Sequence, residues 1–187
     1  MPETILTTAR LRIVPFEEAD FPLLFDLHSD PEVNRYLSPG LAPMSEVEVC
    51  RRLNDYIGDH KRLGISKWKL ETLEGEFAGR AGFSRLDDPD GFELSYSLKR
   101  KAWGNGYATE IACGLVAWFF RKTSEPYLMA YAVSEHGASQ RVMIKAGLFY
   151  WYEMKKYGVP CRFYRIERKD FERFSSAGAK PADELVH

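Results

Sequence analysis

The sequence predicts a single α+β domain, on three observations. Residues 20–62 carry helical periodicity, and residues 65–98 switch to the two-residue alternation of strands. At Trp103-Gly104-Asn105-Gly106-Tyr107-Ala108-Thr109-Glu110 a strand pattern breaks into a glycine turn and then into a helix pattern. The 187 residues suffice for one sizeable core, and no internal repeat or linker divides the chain. The domain is expected to span residues 1–174, with 175–187 a disordered tail lacking any period.

Each element follows from its residues. Leu11, Ile13 and Val14 make a short first strand that Pro15 ends. Asp20 to Asp30 reads as a helix with Phe21, Leu24, Phe25 and Leu27 on one face. Asp30-Pro31 opens a short helical piece ending near Tyr36-Leu37, and Ser38-Pro39-Gly40 is a loop. Ser45 is a good N-cap for a helix running to about Arg62, and Glu48 completes a capping box. Val49, Leu53, Tyr56 and Ile57 form its inner face. Ile65 to Leu73 alternates around Trp68 and Leu70, and Glu74-Gly75 is a tight turn. Phe77 to Leu86 is a second strand, thinned by Gly79 and Gly82. Asp87-Asp88-Pro89-Asp90-Gly91 is a strong turn signal before a third strand, Phe92 to Leu98. The three strands read as an antiparallel meander. The helix after the glycines runs from about Tyr107 to Arg121, with Ala108, Ala112 and Ala117 allowing close approach to a sheet. Tyr127 to Val133 is another strand. Ser134 is expected to cap a helix from Gly137 to Ala146, which Gly147 ends. Leu148 to Lys156 and Cys161 to Arg168 read as two closing strands.

Composition narrows the function. A net charge of −1 offers no broad electrostatic grip on nucleic acid or an anionic membrane, and neither is expected as a partner. Cys50, Cys113 and Cys161 stand far apart, with no spacing that suggests zinc. They read as reduced thiols in a cytoplasmic protein, and no metal is expected. No signal peptide or membrane-spanning run is apparent.

The glycine turn is the main chemical signal. A strand, a glycine turn and a helix leave free N–H donors at the helix start, where the helix dipole also favours an anion. Glycine lets a phosphate approach the backbone without a β-carbon in the way. Lys99, Arg100 and Lys101 lie just before it.

Several separated motifs then agree with one family. Thr7-Thr8-Ala9-Arg10-Leu11-Arg12 opens the chain, followed by Asp20 and by Asp30-Pro31-Glu32-Val33. Trp68, the Gly79 and Gly82 strand, Glu93-Leu94-Ser95-Tyr96, the glycine turn and Ser139 follow in order. Over about residues 5–170 the chain resembles the GNAT acetyltransferase superfamily, in its Rim-type branch of ribosomal-protein N-terminal acetyltransferases. The resemblance implies a mostly antiparallel mixed sheet of about seven strands, splayed between two central strands and flanked by helices. The splayed pair would be Phe92–Leu98 and Tyr127–Val133, with acetyl-CoA between them as co-substrate.

It also implies a set of site residues. The pyrophosphate would rest on the amides of roughly Gly104 to Thr109, through Asn105, Gly106, Tyr107 and Ala108. The family's Gln/Arg-x-x-Gly-x-Gly/Ala pattern falls on Lys101 to Gly106, with Trp103 within it. Lys101 stands where Gln or Arg is usual, which keeps the charge but loses the fork geometry. Glu93 is the candidate base for the amine's proton. Alternation puts it on one strand face with Ser95 and Ser97, where an exposed strand glutamate is the alternative. The backbone N–H near Leu98 is the candidate donor to the thioester oxygen. Ser139 stands near the sulfur, either bonding the thiol or simply capping a helix. His136 replaces the family's asparagine and could contact pantetheine. A tyrosine acid of more distant members would fall at Met143 and is absent. Arg141 could reach the CoA phosphates. The activity so implied is transfer of acetyl to a primary amine, a protein N-terminus or a small molecule, by a monomer or homodimer. The alternative is a non-catalytic acyl-CoA-binding module.

Overall fold

The computed structural model describes residues 3–37, 42–87 and 90–176. Its strands form an eight-stranded mixed sheet in the order β1-β2-β3-β4-β5-β6-β8-β7. The chain divides into two compact units, Met1–Ser84 with Ser95–Ala108, and Arg85–Leu94 with Thr109–His187. Three elements, β4 (Phe77–Asp87), β5 (Asp90–Leu98) and α4 (Tyr107–Lys122), run through both.

In the first unit, β1 (Leu6–Thr7), β2 (Leu11–Val14), β3 (Lys67–Thr72) and β4 (Phe77–Asp87) form an antiparallel ladder. Trp68, Leu70 and Thr72 are buried along β3 in strict alternation, as a strand with one covered face requires. The helices are α1 (Phe21–Ser29), α2 (Pro31–Asn34) and α3 (Glu46–Leu63). The Ser45 hydroxyl accepts from the Glu48 N–H at 3.3 Å and so starts α3, while Gly64, at φ 67°, ends it. Phe16, Leu24, Leu27, Val49, Leu53, Tyr56 and Phe77 share one apolar core. The sequence reading lacked β1, because two residues carry no period; here Leu6 pairs with Ile13.

In the second unit, β6 (Tyr127–Val133) pairs in parallel with β5 at Glu93↔Met129 and antiparallel with β8 (Val159–Glu167). Then come α5 (Gly137–Lys145), β7 (Phe149–Lys156) and α6 (Arg168–Ser176). Two expectations need correction. Ser134 does not cap α5: the N-cap position is His136, without a side-chain cap bond, and the Ser134 hydroxyl donates to Glu153 Oε2 at 3.0 Å. Ser175 and Ser176 belong to α6, not to a tail. That helix is fixed by the Arg168 guanidinium, which donates to the carbonyls of Phe120, Thr123 and Glu125 at 2.8, 2.7 and 3.0 Å. Phe171 also stacks on Phe120, 5.0 Å between centroids. The rest of the expected tail, the 38–40 loop and Asp88-Pro89 lie outside the described residues.

Candidate active site

The glycine turn is built within the first unit. A single 3-10 turn over Arg100–Ala102 leads into it, closed by the Trp103 N–H bonding the Arg100 carbonyl at 3.0 Å. Gly104 and Gly106 both adopt left-handed backbone, φ 76° and 77°, a region costly for other residues. A β-carbon on Gly104 would meet open space. Asn105 Nδ2 donates back to the carbonyls of Ala102 and Trp103 at 3.3 and 3.1 Å, which holds the turn in shape. α4 then starts at Tyr107, and its first N–H groups have no acceptor within the helix.

A cation that sequence reading left out of the site stands beside this turn. The Arg10 guanidinium lies over the Tyr107 ring, 4.8 Å from its centroid. One of its terminal nitrogens would come within 3.6 Å of a β-carbon on Gly106. Nearly a hundred residues separate Arg10 from the turn, so no local spacing could reveal the pairing. Two members of the neighbouring basic run are engaged elsewhere. Lys99 pairs with Asp26, Arg100 Nε with Asp30 Oδ2 at 2.5 Å, and exposed Lys101 lies 4.0 Å from Glu76.

The end of β5 is held by its neighbours. Trp103 Nε1 donates to the Leu98 carbonyl at 2.9 Å, and the Lys99 N–H bonds the Ala78 carbonyl at 2.9 Å. Gly79 of β4 lies against it: a β-carbon there would sit 2.2 Å from the Ser97 oxygen and 2.8 Å from Leu98 Cα. Leu98 and Ser97 are buried, and Ser95 is half-buried.

The remaining candidates belong to the second unit. Glu93 is half-buried on β5, opposite Met129 of β6. His136, Ser139 and Arg141 share the first turns of α5. Ser139 is buried and Arg141 exposed. Burial pushes the His136 imidazole below its ordinary pKa, which favours the neutral ring. Met143, in the position of the absent tyrosine, is buried core.

Gln140, absent from the sequence-derived candidates, is buried and fastens this helix start. Its Nε2 donates to the carbonyls of Val133 and Ser134 at 3.3 and 2.8 Å. Its Oε1 accepts from Arg162 Nη1 and the Tyr164 hydroxyl at 3.2 and 3.3 Å. One side chain thus ties α5 to the end of β6 and to β8. Among the described residues no His/Cys/Asp/Glu group could hold a metal ion, and no helix is long and apolar enough to cross a membrane.

Residues 10–148 match the acetyltransferase (GNAT) domain family. The chain is 31% identical to the uncharacterised protein YkkB of Bacillus subtilis over 173 residues, 90% of this chain and 98% of that one. It is 29% identical over 159 residues to p20 of Bacillus licheniformis, described as an uncharacterised N-acetyltransferase, covering 81% and 88% of the two chains. In fold it is similar to RimL, a ribosomal-protein α-N-acetyltransferase solved with coenzyme A. That match has a TM-score of 0.76 at 18% identity, over 88% of this chain and 98% of RimL.

Proposed function

The chain belongs to the GNAT acetyltransferase family, and from that premise we propose that it moves acetyl from acetyl-CoA to a primary amine. The observation that carries the reading is the pair of left-handed glycines opening α4, with the Arg10 cation beside Gly106. Open space over Gly104, first-turn amides with no acceptor in their own helix and an adjacent guanidinium are what a pyrophosphate needs. Acetyl-CoA, when bound, supplies the acetyl group as an activated thioester.

The chain's own residues have separable tasks. The amides from Gly104 to Thr109, with Lys101 and Arg10, hold the phosphates. Arg141 adds charge at their far side. Glu93 takes the proton from the attacking amine, directly or through water. The Leu98 N–H donates to the thioester oxygen as negative charge builds there. Trp103, bonded to the Leu98 carbonyl, fixes the peptide that follows, Leu98–Lys99. Ser139 bonds the departing sulfur, and neutral His136 touches pantetheine. Direct attack needs no protein nucleophile, and Cys161, buried on β8, is not asked to be one. The acceptor is a protein N-terminus or a small-molecule amine, and the enzyme acts in the cytoplasm as a monomer or homodimer.

One observation favours a second reading, a module that holds acyl-CoA without transferring it: α5 offers buried Met143 where a tyrosine acid would stand. Calorimetry with acetyl-CoA, followed by thiol release across a panel of amines and peptides, separates the two. Binding with acceptor-dependent release supports the enzyme, and binding without any release supports the module. No acetyl-CoA binding would sink both.

A further inference from the structure

The first unit buries a cationic cluster that the proposed reaction does not use. Arg80, on β4, is 2% exposed and His28, on α1, is 0% exposed. Arg80 Nη1 donates to Ser95 Oγ at 2.9 Å, but its Nε has no hydrogen-bond partner. Among the described residues Arg80 has no carboxylate within ion-pair distance. The Tyr56 hydroxyl, Arg52 Nε and His28 Nε2 are likewise buried without a well-aligned hydrogen bond; the Arg52 side chain lies against the Tyr56 hydroxyl, and its Nη2 donates to Glu48 Oε1 at 3.2 Å. These groups are near neighbours. Arg80, Arg52 and Lys67 all act electrostatically on both His28 and Tyr56, and Lys67 Nζ lies 5.8 Å from the Tyr56 ring centre.

A buried guanidinium without a counter-charge is among the costliest arrangements a fold can hold, and a buried hydroxyl without a partner adds to it. The Tyr56 phenol registers the excess positive charge. Burial raises its pKa, yet Arg80, Lys67 and Arg52 bring it below the ordinary value. Glu48 serves Arg52, but among the described residues Arg80 has no anion with planar oxygens that it and Tyr56 could donate to. His28 has a different task. Its Nδ1 faces Asn34 Oδ1 at 3.4 Å, which assigns the proton to that nitrogen and leaves Nε2 an acceptor. The cluster reaches the half-buried residues Ser95 and Lys67, and Ser95 stands two positions along β5 from Glu93.

From this we infer that Arg80 and Tyr56, beside neutral His28, form a recognition site for a carboxylate carried by the amine acceptor, so that the substrate class is an amine bearing a carboxylic acid. The inference rests on the acetyltransferase reading for the word acceptor, but the site can be tested apart from turnover. The full chain, saturated with CoA, is titrated calorimetrically with the N-acetyl derivatives of glycine, β-alanine and γ-aminobutyrate. Each acid is paired with its own carboxamide. At least one acid is expected to bind about tenfold or more tightly than its amide, since only the acid offers a charge to the buried donors. Tyr56→Phe is expected to remove most of that difference while leaving the melting temperature unchanged or higher, because the buried hydroxyl makes no well-aligned hydrogen bond. A merely structural tyrosine would do the opposite.

Equal affinities within every pair, or no binding of any acid, would overturn the inference. So would an acid preference that survives Tyr56→Phe. Neutral amines still acetylated under those results would leave the acetyltransferase reading standing. Acid binding without thiol release from any acceptor would leave the site standing and remove the reaction.

Discussion

Arg10 shows what the residue scale adds to a motif. The glycine turn was legible in sequence because its spacing is local, and both glycines do take the left-handed backbone that makes glycine necessary. Arg10 was not legible as part of it, because its place over Tyr107 is set by the fold and not by spacing. The same contrast separates Ser139 from Gln140. Ser139 matched a family position, whereas Gln140 acts through partners on β6 and β8 that only the fold brings to it. Two predictions belong here. Gly106→Val should weaken acetyl-CoA binding at least about tenfold by calorimetry, since a valine strains the φ of 77° and crowds Arg10. Unchanged affinity would remove the turn from the cofactor site. Gln140→Ala takes one partner each from the Val133 and Ser134 carbonyls, Arg162 and the Tyr164 hydroxyl. It should cost about 1–3 kcal/mol in denaturant unfolding.

At the scale of elements, strong periods were read well and weak ones were lost. β6 was placed with its observed ends, because its seven residues are apolar and β-prone. α3 was placed to within a residue at its C-terminal end by its Ser45 cap and amphipathic face. β1 is too short to carry a period, and α6 hides its apolar face, Phe171 and Phe174, among charges. The glycines of β4 read in sequence as a weakened strand. Gly79 is instead a point of close approach, where the β4 backbone lies against Ser97 and Leu98. Gly79→Val should therefore be among the most damaging single changes. A side-chain carbon 2.2 Å from a backbone oxygen cannot be accommodated by a rotamer change. A loss of about 3 kcal/mol or more, or failure to accumulate as folded protein, is expected. A near-native melting temperature would mean that β4 and β5 are not held as described.

For the molecule as a whole, pH and catalysis provide the two global readouts. His28 is buried, and its pKa is lowered from 6.5 to about 3, first by burial and then by Arg80. The folded protein thus binds this proton less readily than the unfolded chain. Its contribution to stability is complete above about pH 6.5 and is lost as pH falls toward about 3. Unfolding free energy should fall over that window by up to about 1.4 kcal/mol per pH unit, as one extra proton taken up on unfolding requires. His28→Gln should flatten that slope. An unchanged slope in His28→Gln would place the acid sensitivity elsewhere. Catalysis tests the larger claim that Glu93 serves an amine held against a donor gripped by the glycine turn. The direct measurement is acceptor-dependent thiol release from acetyl-CoA by the natural chain and by Glu93→Gln, with acetyl-CoA affinity followed on both. A fall in kcat/KM of about 100-fold or more with affinity unchanged is the expected result. Equal turnover by the two proteins, or no release from any amine by the natural chain, would contradict it.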